Sequence, residues 1–220
     1  MDKASDLSDA AIAIYRVLGG QGFDFGIFGG YAVTALEGPR ESKDIDCAVA
    51  CNKETLAARL TQADGFIMLS SSRSDVVGYI WGDRRITVKF YPAAIDRIKT
   101  ELAPVTGRKF GRSLTRILDP VLVFKGKLSA ASMRIQQTDA VDLIWLGERY
   151  PKEIKKRTQE LSRHMMGQAL RRHPYLESMF QAIVGDEILQ ASKKAVMSPG
   201  VLEPSPYQLN IVQNGLFFGL

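Results

Sequence analysis

An apolar segment, FDFGIF, runs into two adjacent glycines, Gly29 and Gly30, and the chain continues YAVTALEGPRESKDIDCAV. No other stretch narrows the possible folds as far. FDFGIF has the composition of a strand, Tyr31 to Leu36 predicts a short helix stopped by Gly38-Pro39, and Asp44 to Ala50 alternates as a second strand. Glycines let a phosphate approach the backbone closely, and the free N–H groups at a helix start favour an anion. Residues two apart on a strand share a face, so Asp44 and Asp46 project together while Ile45 and Cys47 turn to the other side. Two carboxylates this close repel unless a cation lies between them. Magnesium suits such a place because it takes hard oxygen ligands together with substrate phosphates. The competing reading is a structural turn followed by ordinary surface charge.

The remaining elements are consistent with a mixed α/β unit followed by helices. Ser5 or Ser8 can cap a first helix with Leu7, Ala11, Ile14, Tyr15 and Leu18 at helical spacing, ending at Gly19-Gly20. Asn52 caps KETLAARLTQ, FIML reads as a short strand, and VVGYIW and RITVKFY flank a GDR turn as a hairpin ended by Pro92. VTGRKFGRS reads as a basic, glycine-rich loop, after which only helices are predicted. The first has Asp119 as its cap and Pro120 at its first position; TDAVDLIWLGERY, a helix from Pro151 and one containing PYLESMFQAIVG follow. The expected organisation is an α/β domain over 1–110, a helical domain over 111–190 and an extended tail over 191–220. The apolar end of that tail must dock on this chain or on a partner, a second copy in a homodimer being one such partner.

With 220 residues, 45% of them hydrophobic, the chain can bury a substantial core. A formal net charge of +5 favours an anionic partner. The N-terminal sequence lacks the pattern of a signal peptide and no run of 18 apolar residues exists, so a cytoplasmic, non-membrane protein is expected. Cys47 and Cys51 lie far from His164 and His173 in sequence and at poor spacing for zinc. They read as small hydrophobes in a reducing compartment.

The order Gly-Gly, apolar helix, Asp-x-Asp on the next strand resembles the signature of the nucleotidyltransferase superfamily, the DNA polymerase beta-like fold. More finely, GGYAVTALEG, Arg40 and SKDIDCAV are similar to the branch that holds lincosamide and aminoglycoside nucleotidyltransferases and abortive-infection type toxins. That branch usually carries a His two residues before the first Asp or beside it, where this chain has Ser42 and Lys43. A second block extends the likeness: a helix bearing Lys127 and Arg134, then a helix with Asp139 and Asp142 in DAVDL. Lys127 and Arg134 are seven apart and share a helix face, and the two aspartates are three apart on the next helix. Surface ion pairing between neighbouring helices is the simpler account of that block.

The resemblance implies a small mixed sheet flanked by helices and an all-α C-terminal half. It implies an activity in which two Mg²⁺ (or Mn²⁺) ions align a hydroxyl acceptor, a small molecule or tRNA, against the α-phosphorus of a nucleoside triphosphate. On this chain Asp44 and Asp46 would hold metal, with Asp44, Asp46, Lys127 and Asp142 catalytic. Gly29, Gly30, Arg40, Lys89 and Arg134 would bind the nucleotide.

The family also carries a third acid on a later strand. The matching segment here is ITVKFY, and Lys89 stands in the acidic place. Alternation puts Lys89 on the face of the aspartates. Replacing a carboxylate by an ammonium at about 5 Å alters each metal's surroundings by several kcal/mol, even at an effective dielectric of about 20. Three readings follow. The chain transfers nucleotides with one metal or an acid recruited from Glu101, Asp139 or Asp142; or it is a catalytically degenerate scaffold for a nucleotide or a protein; or it binds nucleic acid through KEIKKR (Lys152 to Arg157), Arg163, Arg171 and Arg172.

Overall fold

A computed structural model describes residues 3–70, 73, 75–93 and 97–196. By internal contacts the chain divides into two units, Met1–Asp119 and Pro120–Leu220.

The first unit is built on a seven-stranded mixed sheet. Its strands are β1 (Phe25–Phe28), β2 (Ile45–Val49), β3 (Phe66–Leu69), β4 (Val77–Trp81), β5 (Ile86–Pro92), β6 (Thr100–Gly107) and β7 (Gly111–Leu118). They lie in the order β3-β4-β5-β2-β1-β7-β6. β1 runs antiparallel to β2 and parallel to β7, β2 runs parallel to β5, and β3, β4 and β5 form an antiparallel meander. All four residues of β1 are buried, as expected of a central strand covered on both faces. On β5, Ile86, Val88 and Phe90 are buried and alternate with half-buried Thr87 and Lys89. Phe66, Tyr79 and Phe90 pack as an aromatic trio with ring centroids 5.8 to 6.4 Å apart.

Three helices dress this sheet. α1 (Lys3–Ile14) buries Leu7, Ala10, Ala11, Ile12 and Ile14 and packs against β6 and β7; a π-helical turn, Tyr15–Gly19, follows it. α2 (Gly29–Ala35) springs directly from β1 and packs on β1 and β2. α3 (Lys53–Thr61) starts where the Asn52 side chain accepts the Thr55 N–H at 2.8 Å.

The segment expected to be a basic loop before an all-helical region is instead the β6–β7 hairpin, so the sheet continues past residue 110 and the division falls after Asp119. The inward residues of β6, Ala103, Val105 and Gly107, are small, and Pro104 stands among them. With Leu102 and Leu114 facing outward, the apolar alternation that marks a strand is faint in the sequence.

The second unit is helical: α4 (Pro120–Met133), α5 (Gln137–Arg149), α6 (Pro151–Lys156), α7 (Arg163–Arg172) and α8 (Glu177–Ala195). The Ser162 side chain accepts the Met165 N–H and begins α7, a separate helix that the sequence reading does not resolve. α8 bends at Gly185, where φ is 79°. Its last residues, 191–195, are helical where an extended tail was expected, and the rest of that tail, with its apolar end, lies outside the described residues. No helix among the described residues is long and apolar enough to cross a membrane.

Candidate functional site

The sequence motif is assembled at the end of β1. Gly29 turns the chain from strand into helix with φ of +71°, a conformation that side chains rarely adopt. A side chain would also crowd its neighbours: a Cβ on Gly29 would lie 2.8 Å from the Asp46 carboxylate, and one on Gly30 would lie 2.9 Å from Ser42 Oγ and 3.0 Å from Arg40 Nη2. The two glycines therefore mark where the Asp46 carboxylate and the Arg40 guanidinium come up against the turn. The loop that brings Arg40 back is tied down by Thr34 Oγ1, which donates to the Arg40 carbonyl at 3.0 Å, and by the buried Ser42, whose hydroxyl donates to the Asp44 carbonyl at 2.9 Å.

Asp46 lies on β2, directly opposite Lys89 on the parallel neighbour β5. Asp44 immediately precedes the strand. The Lys89 ammonium donates to Asp44 Oδ2 at 2.5 Å, and the pair is partly open to solvent, with side chains 41% and 33% exposed. Burial works against the Lys89 charge, but the hydrogen bond to Asp44 and the charge of Asp46 outweigh it, so its pKa stands above the ordinary lysine value. The alternation argument placed Lys89 on the face of the aspartates, and it is there.

Two residues that the sequence reading did not single out also act on the pair. Tyr91 Oη donates to Asp46 Oδ1 at 3.3 Å, and its ring stands edge-on to Phe28 with centroids 5.2 Å apart. Burial and then the Asp46 charge hold the Tyr91 hydroxyl well above the usual phenol range. Arg73, paired with Asp75 at 2.5 Å, sends its positive field onto Lys89, Tyr91 and Asp46. Tyr91 was legible in principle, two residues after Lys89 and so on the same face; Arg73 sits in a polar loop with no pattern to mark it.

The residues around Asp44 and Asp46 supply a two-carboxylate site already neutralised in part by a lysine. Among the described residues no group of three Asp, Glu, His or Cys side chains gathers to hold a metal. Glu101 lies on β6, separated from β2 by β1 and β7.

In the second unit Lys127, Arg134, Asp139 and Asp142 come together as a closed ion network. Lys127 Nζ reaches Asp142 Oδ2 at 2.7 Å and Asp139 Oδ1 at 3.3 Å, and Arg134 grips Asp139 through Nε at 2.6 Å and Nη2 at 3.1 Å. Both carboxylates are 1% exposed and Lys127 is 5% exposed, so this is a buried pin between α4 and α5 rather than the surface pairing of the simpler account. His173, also buried, bonds the Arg134 carbonyl through Nε2 at 3.2 Å. Of the basic residues on α6 and α7, Lys152, Lys155, Lys156, Arg163 and Arg171 are exposed, while Arg157 is paired with Glu160 and Arg172 with Gln168.

No family model matches the chain, and no curated protein matches it. Solved structures do. The chain is similar to an antigenic nucleotidyltransferase-like protein from Paracoccidioides brasiliensis, with 13% identity over 84% of this chain and 95% of that one and a TM-score of 0.54. It is also similar to a protein from H. pylori provisionally assigned as a nucleotidyltransferase, with 18% identity over 89% of this chain and 91% of that one and a TM-score of 0.51. The fold is the nucleotidyltransferase fold, with a helical C-terminal half, as the motif order implied.

Proposed function

We propose that the chain binds a nucleoside triphosphate at the Gly29–Gly30 turn and transfers its nucleoside monophosphate to a hydroxyl acceptor, a small molecule or tRNA, with release of pyrophosphate. The observation that carries this reading is the convergence of Asp46 on Gly29 and of Arg40 on Gly30, with Asp44 beside them. Arg40 and Lys89 are the cations for the triphosphate, since guanidinium and ammonium donors bind phosphate oxygens through charge-assisted hydrogen bonds.

Asp44 and Asp46 fit one Mg²⁺ or Mn²⁺ ion, which would compete with the Lys89 ammonium for Asp44. They do not fit a clamp of two ions, because no third acid joins them among the described residues. A bound ion would supply Lewis-acid neutralisation of the phosphate charge. The protein's own part is to hold the triphosphate against Gly29 and Gly30 and to orient Asp46 through Tyr91. In this reading the buried Lys127 and Asp142 hold the α4–α5 pin, and Arg134, with its side chain 53% exposed, is the member of that network open to solvent.

The Lys89–Asp44 pair favours a second reading, a scaffold that binds a nucleotide or a protein partner without turning over. Incubation with Mg²⁺ or Mn²⁺, each labelled nucleoside triphosphate, pooled tRNA and small alcohols separates the two. Label transfer by the wild type that falls at least about 100-fold in Asp44→Ala/Asp46→Ala supports the enzyme. Transfer by Lys89→Asp but not by the wild type selects the scaffold, and transfer that survives loss of both aspartates removes the site assignment.

A further inference from the structure

A second concentration of charge lies on the first unit at the tip of the β6–β7 hairpin. Asp9 of α1, 3% exposed, accepts the N–H groups of Lys109 at 2.7 Å and Phe110 at 2.9 Å, and Arg108 pairs with Asp6 at 3.0 Å. These bonds fix the hairpin tip on α1. The Phe110 ring lies 6.0 Å from the Trp81 ring. The Arg16 guanidinium sits 4.2 Å from the centre of Phe110, and the Lys109 ammonium lies 5.5 Å from Phe110 and 5.9 Å from Trp81. Trp81 ends β4 and leads into the β4–β5 turn, so Arg84 and Arg85 emerge near it, and Arg112 follows two residues after Phe110.

All six cations, Arg16, Arg84, Arg85, Arg108, Lys109 and Arg112, are exposed. Among the described residues, Asp6 is committed to Arg108 and Asp9 is turned inward onto backbone N–H groups, while Asp83 shares the β4–β5 turn with Arg84 and Arg85. Cations carried by two different turns and a helix end suit a chain of phosphates better than one compact anion. Phe110, half-buried over the buried Trp81 and beside the Arg16 guanidinium, adds a ring edge against which a base can pack. The basic residues of α6 and α7 have no aromatic residue interleaved among them in the sequence.

We propose that this corner, Arg16, Arg84, Arg85 and Lys109 around the Trp81–Phe110 pair, is a docking surface for a single-stranded nucleic acid. It is separate from the Gly29–Gly30 turn and does not depend on nucleotide transfer there.

The test is fluorescence anisotropy of a fluorescein-labelled oligouridylate with the full chain across a salt series. Arg84→Glu/Arg85→Glu/Lys109→Glu is expected to weaken binding at least about tenfold and to flatten the log–log salt slope by about two, three cations at about 0.7 each. Lys152→Glu/Lys155→Glu/Lys156→Glu on α6 is expected to change affinity less than about twofold. In a Trp145→Phe background, which leaves Trp81 as the reporter, binding should shift the tryptophan emission. The proposal is overturned by absence of binding at low salt, by unchanged affinity in the hairpin variant, or by loss confined to the α6 variant. Salt-dependent binding with a silent Trp81 also overturns it, since that marks general attraction of a polyanion. If the charge reversals lower the melting temperature, Arg84→Gln/Arg85→Gln replaces them, with a slope change of about 1.4 expected, two cations at about 0.7 each.

Discussion

Tyr31, the residue after the glycine turn, joins α2 to α1: its hydroxyl donates to Ser8 Oγ at 3.1 Å from a site 2% exposed. Burial, opposed by that hydrogen bond and reinforced by the Asp9 charge, pushes its pKa up from 10.0 to about 12. The unfolded tyrosine therefore loses its proton first as pH rises, and stability falls between the two values. A shift of about two units corresponds to about 2–3 kcal/mol lost across that window. Urea unfolding of wild type against Tyr31→Phe is expected to show this extra loss between pH 10 and 12 in the wild type alone; parallel curves would show that Tyr31 ionises freely in the folded protein. Lys89 presents the opposite case, a charge held in place by register. A one-residue slip of β5 would send it to the apolar face and bring Val88 or Phe90 against the aspartates.

Among the elements, α4 is the one whose chemistry contradicts its surroundings. Val121 to Phe124, Leu128 and Ala131 are buried, and Lys127 is buried with them. The network of Lys127 and Arg134 with Asp139 and Asp142 balances charge, two positive against two negative, so removing one member strands a charge inside. Lys127→Ala is expected to cost about 3–5 kcal/mol in urea denaturation, and a loss below about 1 kcal/mol would mean water reaches the site. The family resemblance pointed to these four residues, and intervals of seven and three placed each pair on one helix face. Burial was not visible: a Lys and two Asp look alike on a solvated face and in a sealed pin, and the difference is made by helices distant in the chain. The same limit hid β6, whose inward side chains are too small to print an alternation, whereas β1, β2 and β5 carry large apolar residues and were legible. At the candidate site, the glycines, both aspartates and the facing of Lys89 could be read from pattern, and Tyr91 follows from the same β5 alternation, but the contribution of Arg73 depends on loop placement that local sequence does not encode.

On the scale of the whole molecule, the first unit closes through contacts far apart in sequence. β7 inserts between β1 and β6, and Asp9 meets Lys109 and Phe110 across separations of 100 and 101 residues. Such topology slows folding, because a long loop must be ordered before these contacts form. A chain ending at Gly107 lacks β7 and the hairpin tip, and is expected to show no cooperative urea transition by circular dichroism; a sharp transition would mean that the sheet is complete without β7. The Asp9 clamp also has a meaning during synthesis. At about 5–20 residues per second, α1 leaves the ribosome roughly 5–20 s before the segment that covers it exists. Throughout that interval Leu7, Ile12 and Ile14 lack that cover, so the growing chain is a candidate for chaperone capture, and the hairpin tip, once made, ends that exposure.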